Sequence, residues 1–219
     1  MKKNILSLAL ITIISLTGCK KETTTEETVT PEPTVETVDA ITFNIDNASS
    51  SVAWIGSKPT GKHNGTITVK EGNFDVIDGK VSGGTFVMDM NSITVTDLEG
   101  DDKLNLETHL KGTGDKEAED HFFNTAKFPT STFKINSITE TDGVSTVNGT
   151  LTMKDISKEV SFPAKISITD SEVSLVSEPF KINRTLWGVN YASKSIFDDL
   201  KDKFVDDEIE LTVTAKATK

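Results

Sequence analysis

The chain has 219 residues and carries 23 Lys+Arg against 34 Asp+Glu, a net charge of −11. That length suits one domain with appendages. The acidic balance argues against nucleic acid as a partner, since phosphates demand basic patches, and against electrostatic docking on anionic lipid; its plainest effect is solubility.

The chain opens with the marks of a targeting segment. Lys2 and Lys3 form a basic start, and Asn4 to Thr17 is almost wholly apolar or small. This run is too short to span a bilayer of about 30 Å comfortably. It ends in Leu16-Thr17-Gly18-Cys19, which resembles a bacterial lipobox, so residues 1–19 are expected to be a lipoprotein signal peptide with Cys19 as the lipidated residue. Without the leader the balance is 21 against 34, or −13. Cys19 is the sole cysteine, so no disulfide can form within the chain. Several acyl chains on one residue satisfy the two-signal requirement for stable anchoring. Lys20 rather than Asp follows the Cys, which points to the outer membrane, on its periplasmic or its surface face. Residues 20–40 are rich in Thr and Glu, with Pro31 and Pro33. They bury too little apolar surface to offset ordering entropy and read as a disordered tether.

From Ile41 onward the texture is β, with short alternating runs between Gly, Asn and Asp. Expected strands are Ser51–Gly56, Thr66–Lys70, Thr85–Met90, Thr132–Ile138, Val144–Met153, Val160–Ile168, Phe180–Ile182 and Ile209–Ala215. Phe86, Met88 and Met90 share one face, as do Phe133 and Ile135, and Val147, Leu151 and Met153. Pro163 suggests an edge or a bulge. Turn signals stand at Gly72-Asn73, Asp78-Gly79, Gly83-Gly84, Asp142-Gly143 and Asn148-Gly149, with Gly149 readable instead as a bulge. Three helical stretches are expected: Asp101–Leu110, Asp115–Phe123 and Ile196–Phe204. With no βα alternation, the fold class is all-β, a sandwich or barrel. About eight strands closed into a barrel hold side chains or one small ligand.

Four of the eleven Phe fall between His121 and Phe133. Such a cluster suggests walls around something apolar, either a packed core or a ligand. Catalytic signals are absent from the sequence. His63, His109 and His121 have no metal-ligand spacing. There is no Gly-x-Ser-x-Gly elbow and no phosphate loop before a helix. The pairs Asp101-Asp102 and Asp206-Asp207 read as solvated loop charges. Arg184 is the one Arg in the chain, beside Trp187 and the single Tyr, Tyr191. Its planar fork suits either a polar head group or a staple at a barrel end.

Five blocks in order resemble the YceI-like family. They are Trp54-Ile55-Gly56 with His63-Asn64-Gly65; Phe86 through Ile93; His109-Leu110-Lys111 with His121-Phe122-Phe123 through Phe128-Pro129 to Phe133; Asn148 through Met153; and Asn183-Arg184 through Gly188-Val189. The similarity covers about residues 41 to 217 of the 41–219 domain. The resemblance implies a lipocalin-like antiparallel β-barrel with a long apolar pocket that takes a polyisoprenoid, such as a quinone tail or related amphiphile. It implies no enzyme, no catalytic residue, no metal and no cofactor beyond a bound isoprenoid lipid. The pattern departs at an insertion, Gly112 to Asp120, at Asp155 where a Gly is common, and at Asn183 where an Asp is common.

Residues expected to line the pocket are Trp54, Phe86, Met88, Phe122, Phe123, Phe128, Phe133, Leu151 and Trp187. His63, His121 and Arg184 are candidates for the head group. Expected partners are an isoprenoid or other amphiphilic lipid, the membrane through the N-terminal anchor, and a second copy of the chain in a homodimer. The competing readings are a ligand-free structural or stress-response barrel packed by Phe and Met, and an enzyme acting on a bound lipid.

Overall fold

Among the described residues, ten antiparallel strands and one α-helix emerge from this pattern. The structure is a computed structural model and describes residues 39–114 and 120–219. The expected leader, Cys19 and the tether to residue 38 lie outside the described residues, as do residues 115–119 of the second expected helix. Val38–Lys219 forms a compact unit of its own.

The strands are β1 (Ile41–Ile45), β2 (Ser51–Lys58), β3 (Gly61–Ile77) and β4 (Lys80–Val95), then α1 (Gly100–Lys111), then β5 (Thr130–Thr141), β6 (Val144–Met153), β7 (Ile156–Ile168), β8 (Glu172–Ser177), β9 (Phe180–Asn183) and β10 (Glu208–Thr218). Hydrogen bonding runs β10-β2-β3-β4-β5-β6-β7-β8, and β8 pairs back to β10, which closes a ring of eight strands. Closure leaves the ring without open edges. β8 meets β10 over Thr214–Thr218 and β9 meets it over Glu208–Leu211, so the two share one place in the wall. Pro179, which cannot donate to a ladder, separates them. β1 adds to the wall beside β10 and β3.

The ring has two unlike ends. One is closed by the tight turns at Asp78-Gly79 and Asp142-Gly143, by residues 169–171 and by β1. The other collects the β2–β3 hairpin, α1, residues 120–129, the Lys154-Asp155 turn and the long β9–β10 connection. Gly149 shapes the wall: a Cβ there would lie 2.3 Å from the Phe133 ring and 2.5 Å from the Lys134 carbonyl. Opposite it, β5 slips register between Ile135 and Ser137, so the bulge sits on β5 and not at Gly149.

Several local expectations are corrected. Gly72-Asn73, Gly83-Gly84 and Asn148-Gly149 lie inside long strands, because ladder pairing on both sides overrides local turn preference. β8 carries no Gly or Pro boundary at its start and escaped the pattern reading. Pro163 lies opposite Thr146 within an unbroken β6–β7 register, and its carbonyl accepts from Glu178 N–H. It stands where β8 pairing stops, so its missing N–H costs the ladder nothing. Asp120 and Phe122 have φ of 50° and 45°, so the described end of the second expected helix is a turn. Ile196–Phe204 forms only a 3-10 turn at Lys201–Lys203. Asp199 and Lys201 adopt φ of 60° and 49°, and Val205 N–H returns to the Ala192 carbonyl, which folds the segment back on itself. Ile196 and Phe197 face solvent there.

Candidate functional site

Alternation points one row of each strand inward. β10 contributes Ile209, Leu211, Val213 and Ala215; β2 contributes Val52, Trp54 and Gly56; β5 contributes Ser131, Phe133 and Ile135. Close packing would leave such residues fully buried. Instead Val52, Ile67, Phe133, Leu151, Val160 and Val213 are only partly buried around a closed ring. They border a cavity of about 390 Å³ inside the barrel, a size within the ~300–1,000 Å³ common for small-molecule sites. Its floor is made by the buried side chains of Phe74, Val147, Leu175 and Ala215.

Of the residues expected at the pocket, Trp54, Phe86, Met88, Phe122, Phe123, Phe133 and Leu151 border this cavity, as do His63 and Arg184. Three do not. Trp187 is 1% exposed and packs in the core behind the wall, where its Nε1–H donates to the Leu151 carbonyl (3.1 Å). Phe128 lies outside, with the Lys127 ammonium 4.8 Å from its ring centre, because Asn124 at φ 45° turns the chain away from the barrel. His121 is buried beside the cavity rather than in its wall, sharing a hydrogen bond between its Nε2 and His109 Nδ1 (2.9 Å).

The cap over the open end is built from α1 and the Phe-rich segment. Asp101 and Asp102 in the first turn of α1, and Lys111 in the last, complement the helix dipole. Leu106, His109 and Leu110, spaced for one helix face, look into the cavity. His109 then meets Phe122, His121 and Tyr191 at ring separations of 5.0, 4.4 and 4.6 Å. Phe122 holds a left-handed backbone that a bulky residue seldom adopts. Lys154, 7% exposed, fixes it by donating to the Phe122 carbonyl (3.0 Å) while pairing with Asp120 (3.1 Å).

Arg184 works as a staple. Its Nε donates to the Asp206 carbonyl (3.0 Å), Nη2 to the Val205 carbonyl (3.0 Å) and Nη1 to the Val189 carbonyl. Its plane sits 5.7 Å from the Phe122 ring centre. Burial draws the guanidinium below its ordinary value, against the pull of Asp207 and Asp206. Three of its donors are thus spent on the chain that returns to β10, which leaves little for a head group.

The remaining polar groups gather on the β2–β3 side of the opening. His63 Nδ1 meets Asp97 Oδ2 at 2.8 Å, and Asn64 N–H donates to the other carboxylate oxygen at 3.0 Å. Burial alone would raise the Asp97 carboxyl, but the Asn64 N–H and the His63 ring outweigh it and hold the group below its usual value. Sequence reasoning missed Asp97, Lys154, His109 and Tyr191 as parts of this end. Asp97 stands 34 positions from His63, and only the β3–β4 register brings them together.

Among the described residues no group of His, Cys, Asp or Glu has the arrangement of a metal site, and no helix is long and apolar enough to cross a membrane.

The YceI-like domain family matches residues 43–217. No curated protein matches the chain. Among solved structures, BcnA of Burkholderia cenocepacia aligns at a TM-score of 0.60 with 18% identity, covering 80% of this chain and 99% of that one. A polyisoprenoid binding domain from Saccharophagus degradans, implicated in plant cell wall breakdown, aligns at 0.56 with 12% identity, covering 80% and 97%. At these identities the likeness is one of fold.

Proposed function

Because the chain belongs to the YceI-like domain family, we propose that its barrel holds an isoprenoid or similar amphiphilic lipid, with the chain inside and the polar head at the capped end. The observation that carries this reading is the apolar cavity itself, walled by inward Phe, Val, Leu and Met side chains and floored by buried ones. The binding of a polyisoprenoid named for the Saccharophagus degradans domain of like fold supports the same class of ligand. Each buried methylene-sized group contributes about 0.8 kcal/mol, so a few five-carbon units reach micromolar affinity after association costs. One methylene changes affinity by only about 1–3 kcal/mol, so selectivity for chain length is broad. The protein binds and carries; it performs no chemistry on the lipid.

Lipidation at Cys19 and residence at the outer membrane complete the proposal. β1 enters the barrel at Ile41, which pairs with Val76 beside the closed end.

Equilibrium binding of isoprenoid alcohols of increasing length to the barrel domain tests this function. Saturable 1:1 binding that strengthens over the first few isoprene units is expected. Absence of saturable binding at every length would overturn it.

A further inference from the structure

We propose that His63, backed by Asp97 and facing the notch over Gly56, forms a head-group subsite that accepts a hydrogen bond from a hydroxyl. This rests on the reading of the barrel as a lipid holder and names the class of lipid: an isoprenoid alcohol or a reduced, hydroxyl-bearing ring in preference to an acceptor-only carbonyl, ether or ester head.

The placement follows from strand register. His63 on β3 pairs directly with Gly56 on β2, so the two share a face, and both border the cavity. A glycine in a central strand weakens it and often marks a close approach of backbone or ligand. Here it marks a space. A Cβ at Gly56 would meet no atom within 4 Å, whereas one at the nearby Gly65 would lie 1.8 Å from the Thr94 carbonyl and 2.5 Å from Trp54. Gly65 is therefore required by packing and Gly56 is not. The room beside the His63 ring is left open at the apolar cavity's polar end.

The chemistry follows from Asp97. A carboxylate only accepts hydrogen bonds, so His63 Nδ1 must be the donor in their 2.8 Å contact. In the neutral ring this leaves Nε2 unprotonated, with its lone pair as the acceptor. The Asn64 N–H anchors the carboxylate from the strand and thereby fixes the ring. Asp206, which also borders the cavity and whose N–H donates to the Ser57 carbonyl (2.9 Å), carries a carboxylate that adds acceptors and no donor. Arg184 does not compete for the head group, since its Nε, Nη1 and Nη2 each already donate to a backbone carbonyl. Lys58 and Lys203 border the same opening but are exposed. They place an anionic head as the rival outcome of the test.

Three probes with one chain separate these outcomes: geranylgeraniol, its methyl ether and geranylgeranyl phosphate, each titrated against the barrel domain at neutral pH. The alcohol is expected to bind about five- to tenfold more tightly than the ether, the range of one net hydrogen bond. His63→Phe should erase that difference while leaving the ether's affinity intact. Asp97→Asn should shrink it. Gly56→Leu, whose Cβ meets no atom within 4 Å and whose side chain extends into the notch, should weaken all three probes with little change in stability. Equal binding of alcohol and ether by the unaltered domain, or tighter binding of the phosphate than of the alcohol, would overturn the subsite while leaving the lipid-holding reading in place. If no probe binds, the lipid-holding reading fails, and this subsite with it.

Discussion

The Lys154 ammonium donates to the Phe122 carbonyl at 3.0 Å, from a side chain that is 5% exposed. The same ammonium meets the Asp120 carboxylate at 3.1 Å, and Asp120 in turn accepts from the Asn124 amide at 2.8 Å. Three consecutive reversals of the backbone, at Asp120, Phe122 and Asn124, are thus pinned from the β6–β7 turn. The cap is held by a charge that the barrel keeps out of water.

Replacing Lys154 by Met keeps the volume and removes the donor. The Phe122 carbonyl is left unmatched, which costs about 1–3 kcal/mol. Asp120→Asn should cost less, because that carboxylate is largely exposed and screened by solvent. Urea unfolding of both variants checks the order. Faster exchange of a fluorescent lipid from the Lys154→Met domain should accompany the loss.

Arg184→Lys separates a staple from a head-group ligand. Lys retains the charge but offers one point in place of a fork. Loss of two of the three carbonyl contacts should destabilise the domain by about 3 kcal/mol, with the preference between lipid heads unchanged. A stable variant with altered head preference would assign Arg184 to the ligand instead.

Two glycines in the same barrel should respond in opposite ways. Gly149→Ala drives a Cβ against the Lys134 carbonyl at 2.5 Å and the Phe133 ring, and overpacking of that kind costs about 1–3 kcal/mol. Gly56→Ala meets nothing and should stay within about 0.5 kcal/mol of the parent. Thermal or urea unfolding of the pair gives the comparison directly.

Acid should unfold the domain through its paired carboxylates. Asp207 is held below its usual value although burial opposes it, because the Ser193 and Ser195 hydroxyls and Arg184 favour the charged form. Asp120 is lowered first by the Asn124 amide, against burial, with help from Lys154. A depressed folded value means that the unfolded chain takes up protons first. The stability these groups contribute is complete above their unfolded value of about 3.8 and is lost as pH falls through the lowered folded values. Urea midpoints should hold steady from pH 7 to about 5 and fall below it. Asp207→Asn should flatten that decline.

The strands were legible because inward positions alternate. Ser51, Val144 and Ile209 lie at or next to the starts of observed strands, although β3 and β4 run to 17 and 16 residues, well past the short runs read from the sequence. Turn residues misled at Gly83-Gly84 and Gly72-Asn73, where pairing on both sides keeps the chain extended. Ile196, Phe197, Leu200 and Phe204 have helical spacing, yet no core waits for that face. The wall was readable at Phe86, Phe133 and Leu151, whose phase is fixed by strand register. Phe128 and Trp187 resisted, because a loop reversal at Asn124 and a 3-10 turn over Arg184–Trp187 decide which way they face. Asp97 and Lys154 carried no signal at all, since their partners are remote in the chain.

Lipid held in the barrel interior is read most directly by its occupancy. The barrel domain and its Val213→Trp variant, which places an indole in the cavity wall, would be purified without detergent, extracted with organic solvent and analysed by mass spectrometry. An isoprenoid species near one per barrel is expected in the parent, with its loss in a folded variant. A parent extract free of lipid, from a domain that also fails to take up added isoprenoid, would contradict it.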